Sequence, residues 1–246
     1  MKGGLSMKKK DLGILRTGLE FITLDIIETL DQMQQEFSQI AMGIFSDEMF
    51  LKLFGRKPIK SYSERVRLAS ALKGVDFVFE VNDDTNLKAL PPIYTPSTEP
   101  KEYRIAYVPG TFDLLHEGHL QHLLMCRDMC DILVVGVNSD KLVWGNKGKR
   151  TQMSENDRLE IVHNLTFVDY VYLVETNDKS VANSWVKAHV GAPIDVILMG
   201  SDLKGNKNED NPDNIPIVFT ERDPKFQETN SSSYWRKRFK ELNTNE

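Results

Sequence analysis

Two histidines three residues apart, His116 and His119, are the residues of this sequence whose type and spacing most directly predict chemistry. They close the run PGTFDLLHEGH at residues 109–119, which directly follows a short apolar segment. Gly110 lets backbone amides approach a ligand closely, and a helix beginning near Gly118 would direct its positive end to the same place. The run therefore predicts a phosphate site that both imidazoles can face.

Three further groups could supply positive charge or hydrogen-bond donors to that phosphate. Lys147 stands in a glycine-flanked loop, Arg158 lies on a predicted helix, and three serines open the last predicted helix. Each group also has an ordinary structural interpretation. Lys147 could be solvated, Arg158 could pair with Glu155, and the serines could cap a helix. Either histidine could bond a backbone carbonyl. The functional interpretation gains weight because all of them fall at the sheet edge where open parallel sheets bind ligands.

The elements that must position these groups alternate between strands and helices. Short, branched apolar runs predict strands at residues 104–108, 132–137, 170–174, 195–199 and 216–219. Amphipathic segments predict helices at about residues 118–129, 154–164, 180–190 and 231–242. This alternation is typical of a parallel sheet covered on both faces. Residues 104–246 are therefore predicted to form a doubly wound, Rossmann-like α/β domain.

The beginning of the chain resembles the first half of that domain. At an offset of 93 residues, residues 42–81 match residues 135–174 without a gap at 11 of 40 positions. We predict that residues 1–90 are a partial, degenerate copy of the domain and that the proline-rich residues 91–103 are a linker. Since the first copy lacks counterparts of the last two strands, its open sheet edge predicts packing on the complete domain or self-association as a homodimer or higher oligomer.

The same offset compares the predicted site with its counterpart in the first copy. The positions of the two histidines and the lysine are occupied there by Thr23, Ile26 and Phe54. Arg158, in contrast, faces another arginine, Arg65. The first copy is therefore predicted to be non-catalytic, and the retained arginine indicates that this position also has a structural role.

Composition excludes several classes of protein. The net charge of −5 argues against a nucleic-acid-binding surface, and no apolar run is long enough for a membrane span or resembles a signal peptide, so we expect a cytoplasmic protein. Cys126 and Cys130, with His122, share one face of a helix and could ligate a metal. Because structural zinc needs four converging ligands, we interpret them as core residues and predict no metal site in the protein itself.

The motif GTFD at residues 110–113, followed by His116-x-Gly118-His119, resembles the cytidylyltransferase-like nucleotidyltransferases. Further segments similar to this family follow in order over residues 104–242: GVNSD at 136–140, NKG at 146–148, FVD at 167–169, MGSD at 199–202 and the serine run at 231–233. The resemblance implies a nucleotide site formed by Gly110, Thr111, Phe112, Asp113, Gly118, Met199, Gly200, Ser201, Asp202, Ser231, Ser232 and Ser233.

The resemblance also implies a reaction. A phosphate monoester attacks the α-phosphorus of a nucleoside triphosphate, and pyrophosphate leaves. By resemblance, His116 and His119 would bind the triphosphate and stabilise the pentacoordinate phosphorus, while Lys147 and Arg158 would clamp phosphates. Mg²⁺ bound with the triphosphate is implied.

The motifs are compatible with two nucleotide substrates, CTP and ATP. Residues 199–205 look like glycerol-3-phosphate cytidylyltransferases and residues 146–174 like the choline- and ethanolamine-phosphate enzymes, so the first expectation is CMP transfer from CTP to a phosphorylated polyol, aminoalcohol or sugar. The arginine that cytidylyltransferases carry before the serine element is missing from residues 226–230. The pattern Ser-Ser-Ser-x-x-Arg instead resembles adenylyltransferases, including those acting on heptose phosphate, which makes ATP the alternative.

Two other functions remain as hypotheses. A nucleotide-binding regulator without catalysis would fit the same motifs, although the intact second copy argues against it. A fragment of a class I aminoacyl-tRNA synthetase is suggested by the HEGH motif at residues 116–119. It is disfavoured because no Lys-Met-Ser-Lys-Ser element follows and the chain is acidic.

Overall fold

The structure is a computed structural model that describes residues 9–82, 89–90, 97–205, 210–221 and 234. The chain divides into two compact units, Met1–Ile93 and Tyr94–Glu246. None of the described helices is long and apolar enough to cross a membrane.

The second unit is an α/β fold with a parallel five-stranded sheet in the order β7-β6-β5-β8-β9. Its elements are β5 (Tyr103–Gly110), α4 (Glu117–Asp128), β6 (Cys130–Asn138), α5 (Asp140–Lys147), α6 (Glu155–His163), β7 (Tyr170–Val174), α7 (Lys179–Val190), β8 (Val196–Gly200), a 3₁₀ turn (Ser201–Leu203) and β9 (Ile217–Thr220). The Rossmann-like fold class is confirmed, and the five predicted strands and three of the helices lie within a few residues of their expected places. The fourth predicted helix, at residues 231–242, lies outside the described residues except for Tyr234.

Branched apolar residues bury the central strands of this sheet on both faces. Ile105 and Tyr107 of β5 belong to one core cluster with Val134 of β6, Ile197 of β8 and Val186 of α7. From β5 the chain adds β6 and β7 on one side of the sheet and then β8 and β9 on the other. The position between β5 and β8 is therefore a topological switch point, where parallel sheets have a crevice at their carboxyl edge. The loops that follow these two strands therefore flank the predicted ligand position.

The first unit has a smaller sheet in the order β1-β2-β3-β4, in which β4 alone is antiparallel to its neighbour. Its elements are β1 (Lys10–Thr17), α1 (Leu24–Glu36), β2 (Phe37–Phe45), α2 (Asp47–Phe54), α3 (Tyr62–Ser70), β3 (Phe77–Val81) and β4 (Ala89–Leu90). The bounds of β1, β2, α2, α3 and β3 recur 93 residues later in β5, β6, α5, α6 and β7. The described part of this unit contains no counterpart of α7, β8 or β9.

The local signals that bound these helices also recur. Ser46 and Ser139 each cap the helix that follows and accept from the backbone N–H three residues on. Gly55 and Gly148 end the same helices in the left-handed conformation, with φ of 69° and 58°. Similar capping residues thus start and stop corresponding helices in both units.

Candidate functional site

The loop that follows β5, at residues 110–116, turns sharply and brings two histidines to the start of α4. Gly110 is required because a Cβ there would lie 2.6 Å from the ring of Phe112. Phe112 and Leu114 have φ of 53° and 51°, which side chains other than glycine rarely adopt. This strained turn leaves His116 as the N-cap residue of α4. Strain of this kind is commonly found at ligand sites.

The two imidazoles lie against each other at the helix N-terminus. The ring centroids of His116 and His119 are 3.8 Å apart and the rings are nearly parallel. The ring of Phe112 meets His119 edge-on, with the centroids 5.4 Å apart. His116 is almost fully buried, whereas His119 is partly exposed. The pair therefore forms one fixed group of ring nitrogens beside the positive end of α4.

Lys147 brings a positive charge to the same loop. Its Nζ donates to Thr111 Oγ1 at 3.1 Å. The expectation that Lys147 stands in a loop is wrong, because it is the last residue of the two-turn helix α5, which ends at Gly148. The carboxyl end of a helix favours a cation, and this position directs the ammonium group towards the turn after β5.

Arg158 supports this loop from the protein interior. Its side chain is fully buried, its Nη1 donates to Thr111 O at 2.6 Å, and its Nε donates to Met153 O at 3.3 Å. Its Nη2 forms an ion pair with Asp140 Oδ1 at 2.6 Å. Pairing with Glu155, the ordinary alternative, is not what the structure has. The guanidinium is directed to groups of the protein, which is the geometry of a positioning residue.

Asp140 is the charge partner of Arg158, which the sequence did not reveal, and its environment affects its ionisation. Partial burial alone would raise the pKa of this carboxyl, but hydrogen bonds from Arg158 and Thr151 and the charge of Arg158 outweigh it and lower the pKa. A signal was present in the sequence, since the offset of 93 residues pairs Asp140 with Asp47 as it pairs Arg158 with Arg65.

The lowered pKa of Asp140 predicts a loss of stability in acid. A carboxyl whose pKa is depressed on folding stabilises the protein above about pH 4 and stops doing so as the pH falls through its lower, folded-state pKa. We therefore expect Asp140→Asn to reduce the free energy of unfolding at pH 7 and to make its decline below pH 4 shallower. Urea unfolding of the wild type, Asp140→Asn and the exposed-site control Asp128→Asn between pH 3 and pH 7 measures this. Parallel pH curves for the wild type and Asp140→Asn would contradict it.

Asp113 connects the turn to the segment before α6. This buried carboxylate accepts from the backbone N–H groups of Gln152 at 2.9 Å and Met153 at 3.1 Å. Together with the bond from Arg158 to Thr111, it fixes residues 110–116 to residues 151–153. The predicted site residues Asp113 and Thr111 thus have partners from two other segments of the fold.

The residues after β8 have mixed placements. The side chain of Met199 lies in the core cluster and does not face a ligand. Gly200 ends β8, and Ser201 and Asp202 begin the 3₁₀ turn. Because β8 is paired directly with β5, this turn flanks the crevice opposite residues 110–116. Ser231, Ser232 and Ser233 lie outside the described residues.

The cysteines of α4 and β6 pack in the interior. Thr220 Oγ1 lies 2.8 Å from His122 Nδ1, and Cys126 Sγ lies 3.8 Å from the same nitrogen. Cys130 Sγ donates to Cys126 O, and burial raises the pKa of the Cys130 thiol to about 11. Among the described residues, no group of three or more histidine, cysteine or acidic side chains is arranged to hold a metal ion.

Comparison with known proteins agrees with the motifs of the second unit. A family model described as "Cytidylyltransferase-like" matches residues 107–238. The "Bifunctional protein HldE" of Campylobacter concisus (strain 13826) is 30% identical over 148 residues, which are 60% of this chain and 29% of the relative. The protein of the same name from Helicobacter pylori (strain G27) is 38% identical over 111 residues, 44% of this chain and 24% of the relative. The chain thus spans less than a third of the length of these curated relatives.

A solved structure also matches part of the chain. The lipopolysaccharide core biosynthesis protein from Thermoplasma volcanium GSS1 is 24% identical, with a TM-score of 0.37, and the match covers 49% of this chain and 98% of that one.

Proposed function

Since this chain belongs to the cytidylyltransferase-like family, we propose that it is a nucleotidyltransferase that transfers AMP from ATP to a sugar phosphate or a related phosphomonoester. The observation that carries the proposal is the stacked pair of His116 and His119 beside the loop that Lys147 contacts. These groups lie at the carboxyl edge of the sheet, next to the switch point between β5 and β8.

In the proposed reaction an oxygen of the acceptor phosphate forms a bond to the α-phosphorus of ATP. The bond from that phosphorus to the oxygen bridging to the β-phosphorus breaks, and pyrophosphate leaves with the electron pair. Negative charge spreads over the equatorial and departing oxygens, so the protein acts by positioning and by fixed donors. His116 and His119 donate to these oxygens, and Lys147 neutralises phosphate charge beside Thr111. Each such donor typically contributes about 3 kcal/mol.

Arg158 has a different part in this proposal. Because its three bonds go to Thr111, Met153 and Asp140, it holds the turn after β5 in the conformation that the imidazoles and Lys147 require. We assign it as a positioning residue, in place of the phosphate clamp that the family resemblance implies. Mg²⁺ is proposed to enter bound to the triphosphate of ATP. The serines at 231–233 are proposed to hold the β- and γ-phosphates of ATP.

The choice of ATP rests on two observations. The pattern Ser-Ser-Ser-x-x-Arg at residues 231–236 resembles adenylyltransferases, and the matches to the bifunctional HldE proteins favour the same reading over the first expectation of CTP. Nucleobase selection depends on a few hydrogen bonds, so the test must compare bases directly.

A thermal-shift panel of ATP, CTP, GTP and UTP with Mg²⁺ tests the nucleotide. A ligand at about 100 times its Kd adds roughly 2.7 kcal/mol of stability, which for a domain of this size is a rise in Tm of roughly 5 to 10 °C. We expect ATP to give this shift and to release pyrophosphate when a panel of sugar phosphates is added. A Tm shift and pyrophosphate release with CTP alone would show that the enzyme transfers CMP. If no combination of nucleoside triphosphate and sugar phosphate releases pyrophosphate, the proposed reaction is wrong.

The first unit is proposed to be a non-catalytic copy that serves packing or self-association. Thr23 and Ile26 stand where the second unit has its imidazoles. Among the described strands, β1 is paired with β2 alone, whereas the corresponding β5 is paired on both sides. Leu12 and Ile14 of β1 are also each 46% exposed. An open apolar edge of this kind favours association with another strand.

A further inference from the structure

A cavity of about 520 Å³ lies between α5 and the segment that leads into α6. Asp140 and Trp144 line it from the helix, and residues 150–154 line it from the segment. Its volume is in the range of small-molecule sites. Trp144 is 56% exposed, although the exposure of a large apolar side chain to water costs free energy. An exposed indole that lines a cavity is available to contact a ligand there.

We propose that this cavity holds the sugar ring of the acceptor, with Trp144 as the platform on which the ring rests. The inference depends on the proposed function for the identity of the phosphorylated end. It adds a specificity-determining residue and the class of acceptor, a pyranose or similar polyhydroxylated ring.

The position of Trp144 on α5 connects the cavity to the reacting phosphates. Trp144 precedes Lys147 by three residues, so that both side chains lie on one face of the helix, about 4.5 Å apart along its axis. Lys147 Nζ bonds the hydroxyl of Thr111 in the turn after β5. A ligand whose phosphate lies at Lys147 can therefore place a ring of ordinary sugar size over Trp144.

The far wall of the cavity, residues 151–153, is held by the turn after β5. Asp113 accepts from the backbone N–H groups of Gln152 and Met153, and Thr151 Oγ1 donates to Asp140 Oδ1 at 2.9 Å. The backbone of this wall is therefore fixed relative to residues 110–116. A rigid wall favours binding because little conformational entropy is lost when the ligand arrives.

The lining suits a sugar better than a nucleobase. The guanidinium of Arg150 lies over the ring of Trp144, with its Cζ atom 6.0 Å from the centroid, and Gln152 and Ser154 add an amide and a hydroxyl to the lining. A pyranose has one face of C–H groups for the indole and a rim of hydroxyls for such polar groups. The topology agrees, because the nucleoside is expected in the crevice between β5 and β8, whereas α5 follows β6 on the other side of β5. In-line displacement also requires the acceptor and the pyrophosphate to lie on opposite sides of the α-phosphorus.

Steady-state kinetics of Trp144→Ala test the proposal. Loss of the indole face is expected to raise the KM for the sugar phosphate about tenfold, while the KM for ATP changes less than about twofold. Trp144→Phe, which keeps an aromatic face, should recover part of the loss. The matched control is Leu51→Ala, since Leu51 occupies the same position of α2 in the first unit and is 43% exposed. An equal rise in both KM values would make this a nucleoside site, and no change in either would leave Trp144 as a surface residue; both results overturn the proposal.

Direct binding separates this inference from the proposed function. We expect a panel of hexose and heptose 1-phosphates to change the tryptophan fluorescence of the wild type, and the change to be lost in Trp144→Ala. If that signal is found but no triphosphate yields pyrophosphate, the sugar site stands and the proposed reaction fails. If pyrophosphate is released but no sugar phosphate alters the Trp144-dependent fluorescence or KM, the reaction stands and the sugar site fails.

Discussion

His119→Ala is expected to reduce kcat for pyrophosphate release by about 10² to 10³ while the protein remains folded. The imidazole is partly exposed and contacts the rings of His116 and Phe112, so its removal costs little core packing. The donor it provides to the charged phosphorus centre acts in the transition state, where losing one donor typically costs about 3 to 4 kcal/mol. Pre-steady-state or steady-state release of pyrophosphate, together with urea unfolding of the same preparation, measures both effects.

The first unit supplies the control for this experiment. Ile26 occupies the position of His119 at the same offset, on a helix that begins in the same way. We expect Ile26→Ala to leave kcat unchanged, because the first unit lacks the imidazole pair. Full activity of His119→Ala, or an equal loss in Ile26→Ala, would contradict the assigned role.

The sequence predicted the fold of the second unit because its central strands are buried. The runs at β5, β6 and β8 are continuous and apolar, and this pattern distinguishes them from the amphipathic segments around them. The helix α5 was missed because it has only eight residues, buries Val143 alone and contains Gly145, so that its periodicity is too short to recognise. Its boundary signals, Ser139 and Gly148, were nevertheless present and are repeated in the first unit.

The sequence also indicated which side chains come together after β5, whereas the contacts of Arg158 could not be predicted from it. The approach of His116, His119 and Lys147 to the turn after β5 follows from motifs placed after a strand. An arginine faces the interior when backbone carbonyl oxygens there accept its hydrogen bonds. For Arg158 these oxygens belong to Met153 and Thr111, which are 5 and 47 residues away in the chain. The cavity beside Trp144 likewise lies between α5 and residues 150–154, and no local sequence pattern predicts how these two segments pack.

Arg158→Ala is expected to lower the free energy of unfolding by about 2 to 3 kcal/mol and also to reduce kcat. The variant leaves Thr111 O and Met153 O without their donor and separates Asp140 from its charge partner. Hydrogen bonds to charged groups contribute about 1.5 to 3 kcal/mol each. Because the side chain of Asp140 is 46% exposed, water compensates for part of its loss, and the cost stays below that of breaking a fully buried pair.

Arg65→Ala is the matched variant that separates stability from catalysis. Arg65 is also fully buried and bonds the three counterparts of the Arg158 partners, namely Gly18 O, Lys60 O and Asp47 Oδ1. We expect a similar loss of stability, observed as unfolding of the first unit at lower urea concentration, with kcat unchanged. The comparison therefore measures how much of the Arg158 effect on kcat exceeds a general loss of stability.

The variant Arg158→Lys distinguishes a positioning role of Arg158 from direct binding of phosphate. An ammonium keeps the charge but cannot donate to three acceptors in a planar fork, so Arg158→Lys should retain little of either stability or kcat if the residue acts by holding Thr111. A phosphate clamp would give the reverse pattern, with near-normal stability in Arg158→Ala, a higher KM for ATP and partial rescue by lysine. Since the bond from Arg158 to Thr111 O holds the turn that Lys147 contacts and that leads into the imidazoles, we expect a loss of kcat at unchanged KM for ATP.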